Sequence, residues 1–323
     1  MEKLKIVASA RQVPQRVVTN DELSTLMETN DDWIFSRTGI HQRHVVTTEN
    51  TSDLAISVAQ QLLDKSGYTA DDLDFIIVST MSPDMASPNT AALVQAGIGA
   101  TQAFAFDLSA ACSGLVYGMS TASALITARY TRGLVIGAEV LSKLVDWSDR
   151  TTAVLFGDGA AGVLVERTDD NVGLIAEDLR AFGQDGEHLV AGKFANANAF
   201  VGEISAQDTY FHQNGREVYS FATREVPAAL ERVLAKADMT PDDIDVYLLH
   251  QANGRIVSMI AKKFGQPAEK FPTNMAEYGN TSAASIGILL DELRDAGVVH
   301  EGQTIAFAGF GGGLTVGAAI YKI

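Results

Sequence analysis

The sequence predicts an α/β protein made of two related halves, and three internal matches carry that reading. "TADDLDFIIVST" from Thr69 matches "TPDDIDVYLLHQ" from Thr240, an offset of 240 − 69 = 171 residues. At the same offset the segment "DLAISVAQQLLDKSG" from Asp53 answers "REVPAALERVLAKAD" from Arg224, with apolar residues at helical spacing in both. Still at that offset, Cys112 falls opposite Ala283, so "SAACSGLVYG" overlays "NTSAASIGIL", a second small-residue segment opening a helix.

Taken in order, each match is an Asp-rich turn feeding a buried strand, a helix that packs one apolar face, and a tight turn into a further helix. The strands "DFIIVST", "GLVIGAE", "VYLLH" and "TIAFAGF" are apolar and rich in β-branched residues, as strands covered on both faces are. Helices alternating with such strands imply two related mixed sheets in a layered core. "FGDGAAGVLV" from Phe156 resembles "FGGGLTVGAA" from Phe310 at the shorter offset of 310 − 156 = 154, so the first half carries roughly 17 extra residues near 139 to 155. The boundary is expected near residues 168 to 174, giving halves 1–170 and 171–323.

With 323 residues, 46% of them hydrophobic, the chain can bury a large core. A net charge of −16 argues against a broad nucleic-acid surface, which needs clustered Lys and Arg. The opening "MEKLKIVASA" has too short an apolar run for a signal peptide and no window approaches a membrane span, so a cytoplasmic location with no membrane partner is expected. One cysteine permits neither an internal disulfide nor a thiolate-rich metal site. His41, His44, His188, His212 and His300 form no ligand pattern, and no metal is expected. "GDGAAG", Gly157 to Gly162, fits G-x-G-x-x-G but runs into the strand "VLVE", where a dinucleotide fingerprint needs a helix. The sequons at Asn50 and Asn280 carry no meaning in a cytoplasmic chain.

A lone cysteine is more often a small buried hydrophobe than a reagent. In "DLSAACSGL" its setting is a strand-to-helix turn, where free backbone N–H groups and the helix macrodipole favour a thiolate and can hold an oxyanion. The second half supplies His250, directly after a strand, and Asn280 in "YGNTSAAS". If the halves pack pseudo-symmetrically, these meet Cys112 at the interface, and "FGGGL", Phe310 to Leu314, permits close backbone approach.

These segments, "DLSAACSGL", "LLHQANGRI", "YGNTSAAS" and "GFGGGLTVG", together with "DDWIFSRTGI" and "DWSDRTTAVLFGDGAAG", resemble the thiolase-fold condensing enzymes, most closely β-ketoacyl-acyl-carrier-protein synthase III, over essentially the whole chain. The resemblance implies a thiolase-like fold, a homodimer and no cofactor, coenzyme A thioester being a substrate. Cys112 would carry the acyl group. His250 and Asn280 would hold the enolate from malonyl-acyl-carrier protein, Gly312 with the Cys112 peptide N–H would form an oxyanion hole, and Phe310 would shield the site. The coenzyme A contacts it implies are Trp33, Arg37 and Arg150, with Thr29, Gly215, Tyr219, Ala252, Asn253 and Ile256 along a tunnel. Gln251, Arg255, Lys262 and Lys263 would face the acidic carrier protein, although Ser220 stands where the family often has lysine, with Arg216 or Arg224 as possible substitutes. Ser87, in "PDMASPNTAA", would sit near the floor of the partner's acyl pocket, unless Met85 fills that space. Alternatives are a Cys-His-Asn hydrolase, a condensing enzyme using only coenzyme A thioesters, and a silent scaffold.

Overall fold

The computed structural model describes residues 4–196, 198, 200 and 209–323. The first sheet holds β1 (Leu4–Gln12), β2 (Phe75–Ser79), β3 (Phe104–Leu108), β4 (Arg132–Glu139) and β5 (Gly159–Arg167), in the order β1-β5-β4-β2-β3. The second holds β6 (Gly173–Ala181), β7 (Val246–Leu249), β8 (Thr304–Gly311) and β9 (Thr315–Lys322), in the order β7-β8-β9-β6. Both are mixed. β2 runs parallel to β3 and β4, and β7 parallel to β8, while β5 and β9 are antiparallel to both their neighbours. Thus β1, β5, β4 and β2 correspond in order and direction to β6, β9, β8 and β7.

β3 has no counterpart among the described residues. At the equivalent place the second half reads "FPTNMAEYG", where Pro272 cannot donate to a ladder and Met275–Tyr278 close a single helical turn.

The main helices are α1 (Asp31–Thr38), α2 (Thr51–Ser66), α3 (Thr90–Ile98), α4 (Gly114–Leu125), α5 (Gly215–Ala237), α6 (Gly254–Phe264) and α7 (Ser285–Asp295). α4 and α7 are buried between the sheets, α2 and α3 cover the outer face of the first, and α5 and α6 the outer face of the second. The strands show the layering residue by residue. Phe75 and Ile77 of β2 join the central cluster while Ile76 and Val78 join the outer one, and Ile305 and Phe307 of β8 alternate with Ala306 and Ala308 in the same way.

The local devices repeat as well. Thr69 and Thr240 each receive an aspartate three residues on, with N–H to carboxylate distances of 2.8 and 2.7 Å to Asp72 and Asp243. α2 and α5 both stop on a left-handed residue, Gly67 at φ +74° and Asp238 at φ +54°. The extra residues of the first half lie between β4 and β5, residues 140–158, where the second half joins β8 to β9 through residues 312–314. Asp158 anchors that insertion, accepting from the peptide N–H groups of Ser142 and Val46, both at 2.9 Å. "GDGAAG" is a glycine-rich turn entering β5. Met1–Lys3 lie outside the described residues, and the apolar run that follows them forms β1. Among the described residues no helix is long and apolar enough to cross a membrane.

Candidate active site

Cys112 sits in a three-residue turn, Ala111–Ser113, between β3 and α4; its counterpart is Ser282–Ala284, immediately before α7. Both turns are entered through a left-handed residue, Ala111 at φ +45° and Ser282 at φ +48°. Each is clasped by a strand of the opposite half. A Cβ on Gly309 would lie 3.0 Å from the Cys112 carbonyl oxygen and one on Gly311 2.6 Å from the Cys112 nitrogen; reciprocally, a Cβ on Gly137 would lie 2.3 Å from the Ala283 oxygen. Only glycine permits these approaches.

The crossing brings Cys112, His250, Asn280, Phe310 and Gly312 onto one pocket of about 910 Å³, part of it open to solvent. Gly215, Tyr219, Ala252, Asn253 and Ile256 line the same pocket. Met81, Leu155, Phe156 and Phe211 add apolar walls, the two phenylalanine rings stacked at 4.3 Å.

Burial governs the electrostatics. His250 is 3% exposed, and loss of water pushes its pKa down to about 3, which keeps the imidazole neutral. Its Nδ1 lies 2.7 Å from Ser285 Oγ and its ring stands edge-on to Phe310 at 5.3 Å. Asn280 Oδ1 accepts from the Ser282 peptide N–H at 2.9 Å. Cys112 corrects the expectation of a favoured thiolate: its setting before a helix is as read, but burial dominates and pushes the thiol up to about 12. The resting sulfur is a neutral thiol.

Glu139, at the end of β4, was not foreseen. It is fully buried, accepting from Ser82 Oγ at 2.6 Å, Thr80 Oγ1 at 3.1 Å and the Met81 peptide N–H at 3.1 Å. Desolvation pushes its pKa up to about 7. A charged residue closing the apolar strand "GLVIGAE" was the available signal.

Trp33, Arg37, Arg150 and Thr29 do not line the Cys112 pocket, but three of them meet one another: the Arg37 and Arg150 guanidinium carbons lie 4.5 and 5.3 Å from the Trp33 ring centroid. Arg150 also donates to the Glu28 carbonyl at 3.0 Å. Thr29 is half-buried nearby in sequence. Asn253 caps α6, accepting from Arg255 N at 2.9 Å, and donates to the Arg37 carbonyl at 3.0 Å.

Of the residues expected to meet a carrier protein, Arg255, Lys262 and Lys263 are exposed on α6. Arg255 reaches the Ser36 carbonyl at 2.6 Å, and Lys263 pairs with Glu231 at 3.0 Å. Gln251 is a correction. It is 1% exposed, donating to the Leu249 carbonyl at 2.7 Å and accepting from the Asn274 N–H at 3.1 Å, so it holds the loop together and presents nothing to a partner. Ser220 and Arg216 are exposed, and Arg224 pairs with Glu225 at 2.8 Å. Ser87 and Met85 are exposed and neither lines this chain's own pocket. Among the described residues no cluster of His, Cys, Asp and Glu is arranged to hold a metal ion.

A duplicated α/β frame with a buried thiol, a neutral imidazole and a carboxamide converging between its halves defines a condensing enzyme of the thiolase-like class. Family models for 3-oxoacyl-[acyl-carrier-protein] synthase III match residues 106–183, and for its C-terminal part residues 234–323. β-Ketoacyl-[acyl-carrier-protein] synthase III of Lactococcus lactis subsp. cremoris (strain MG1363) is 52% identical over 322 residues, covering 99% of each chain. That of Streptococcus suis (strain 05ZYH33) is 53% identical, covering 99% of this chain and 98% of its own. The crystal structure of 3-oxoacyl-[acyl-carrier-protein] synthase III from Aquifex aeolicus VF5 superposes with a TM-score of 0.93 at 38% identity, over 99% of this chain and 100% of that one. The chain belongs to the β-ketoacyl-acyl-carrier-protein synthase III family, a family of acyltransferases.

Proposed function

We propose that the chain starts fatty acid biosynthesis by condensing acetyl-coenzyme A, or another short acyl-coenzyme A, with malonyl-acyl-carrier protein, giving 3-oxoacyl-acyl-carrier protein, CO2 and coenzyme A. The convergence of Cys112, His250 and Asn280 on one pocket carries this reading. In the first step the Cys112 sulfur attacks the acyl thioester carbonyl, the carbon–sulfur bond to coenzyme A breaks, and the thiol proton ends on the departing sulfur. In the second, the malonyl carbon–carbon bond breaks, CO2 leaves, and the electron pair develops as an enolate whose oxygen accepts hydrogen bonds from His250 and Asn280. The enolate carbon attacks the acyl-Cys112 carbonyl, whose oxyanion rests on the N–H groups of Cys112 and Gly312. Collapse returns Cys112 as a thiolate, which is reprotonated. No step calls on a cofactor.

Trp33, Arg37 and Arg150 would take the adenine and phosphates of coenzyme A, since an aromatic face and guanidinium planes suit stacking and charge. The exposed cations of α6 suit an acidic carrier protein, in contrast to the chain's overall net charge of −16. We also propose a cytoplasmic homodimer whose halves divide near residues 170 and 171. The exposed edge strand β3, with Phe104 37% exposed, is the surface that favours pairing. Ser87 would then reach the partner's acyl pocket, where its small side chain leaves room for four-carbon primers. Mass spectrometry of the intact protein after acetyl-coenzyme A, then malonyl-acyl-carrier protein, tests the reading. One acetyl group on Cys112, discharged by the second substrate, is expected; hydrolysis without condensation overturns it.

A further inference from the structure

The pair His250 and Ser285 repeats, at the 171-residue offset, the pair Ser79 and Gly114. In the first half this contact between the end of a strand and the start of a central helix is filled by small groups. Ser79 Oγ donates to the Gly114 carbonyl at 2.8 Å, and a Cβ on Gly114 would lie 3.0 Å from that of Ser79. In the second half the same place holds an imidazole and a hydroxyl, 2.7 Å apart. Ser285 is 2% exposed and opens α7, yet its hydroxyl caps no helix N–H; Ala284 is the capping position and makes no side-chain bond.

The hydroxyl has a defined direction. Ser285 Oγ accepts the Gln251 peptide N–H at 3.4 Å, and among the described residues His250 Nδ1 is the one acceptor within reach of its own proton, which in a site 2% exposed would otherwise go unpaired. A ring nitrogen that accepts from a hydroxyl carries no proton, so the other nitrogen must. We infer that Ser285 is a positioning residue that fixes His250 as its Nε2–H tautomer, leaving a donor on the ring nitrogen not held by Ser285. The inference rests on the proposed condensation, because only a reaction that builds charge on an oxygen needs that donor. An enolate oxygen met by a bare ring nitrogen would be repelled, whereas a donor stabilises it as charge develops. The neutral state of the ring, kept by burial, is what makes the choice of tautomer matter.

The test is direct 15N spectroscopy of the histidine rings in the full-length protein, with His250 identified among the six histidines by its loss in His250→Ala. The wild type is expected to show a protonated Nε2 and a bare Nδ1, and Ser285→Ala a mixture of tautomers. Decarboxylation of malonyl-acyl-carrier protein by that variant should fall at least tenfold while loading of Cys112 from acetyl-coenzyme A stays within twofold. A wild-type ring protonated on Nδ1 overturns the inference. So does a variant whose ring pattern is unchanged, or one whose ring shifts while decarboxylation holds. A wild type that loads Cys112 and never decarboxylates would instead overturn the functional reading, and the ring spectrum would still judge Ser285.

Discussion

Asn280 commits its side-chain oxygen to the peptide N–H of Ser282 at 2.9 Å, so the amide that remains for the pocket is a donor, not an acceptor. The role follows from that orientation. Removing one oxyanion donor typically costs about 3–4 kcal/mol of transition-state stabilisation, roughly a hundredfold to a thousandfold in rate. Asn280→Ala and His250→Ala should each lose malonyl-acyl-carrier protein decarboxylation on that scale and keep acyl loading. Wild-type decarboxylation by both variants would show that the enolate is held elsewhere.

Cys112→Ala should abolish acyl loading and condensation together, since the chain contains one cysteine. Because burial keeps the resting sulfur a thiol, with a pKa of about 12, alkylation by iodoacetamide should be slow at pH 7 and quicken with rising pH. A fast, pH-independent reaction would mean a standing thiolate.

Glu139 links stability to pH. Its pKa is raised from 4.5 to about 7 in the folded protein, so the native state binds the proton more tightly than the unfolded chain. The contribution is fully present below pH 4.5 and is lost as pH rises through about 7, a span of about 3 kcal/mol. Glu139→Gln, which carries no charge at either pH, should therefore gain in melting temperature relative to wild type at pH 8 more than at pH 5. Equal differences at both pH values would mean that Glu139 holds the same charge at each.

The Arg150 guanidinium lies 5.3 Å from the Trp33 ring centroid, less than the roughly 7 Å that two stacked van der Waals contacts require. Adenine must displace it. Trp33→Ala should raise the KM for acetyl-coenzyme A roughly tenfold, in line with aromatic stacking on a base, and leave the KM for malonyl-acyl-carrier protein alone. Wild-type KM for acetyl-coenzyme A would place the adenine elsewhere.

Arg255→Glu should raise the KM for malonyl-acyl-carrier protein while sparing self-acylation. Equal damage to both half-reactions would assign Arg255 to the shared tunnel.

Much of the frame was legible in the sequence because strand and helix periodicities recur with their caps intact: Thr69 and Thr240 announce the same turn, and Gly67 and Asp238 the same stop. Cys112, His250 and Asn280 could be picked out because each stands where an element ends. What depends on depth was not legible. Gln251 neighbours His250 and reads as polar surface, yet the loop folds inward and uses both ends of its amide. The start of α4 suggested a thiolate, but how completely water is excluded from Cys112 is set by strands nearly two hundred residues away. The missing counterpart of β3 was hidden for the opposite reason, since Pro272 is a purely local signal that interrupts an otherwise repeating pattern.

The doubled frame contains a vestige. Shifted by 171 residues, Cys112, His250 and Asn280 fall on Ala283, Ser79 and Ser109, a methyl group and two small hydroxyls. Gly137 of the opposite half presses on the Ala283 carbonyl as Gly309 and Gly311 press on the Cys112 turn, so the clasp is mirrored and the side chains are not. Symmetry at the level of strands thus coexists with asymmetry at the level of reagents: in the proposed reaction one half presents the atom to be acylated, the other the groups that would act on the second substrate. In that proposed division the expected stoichiometry is one acyl group per chain, and neither half could become a miniature of the whole without first inventing the residues its twin retains.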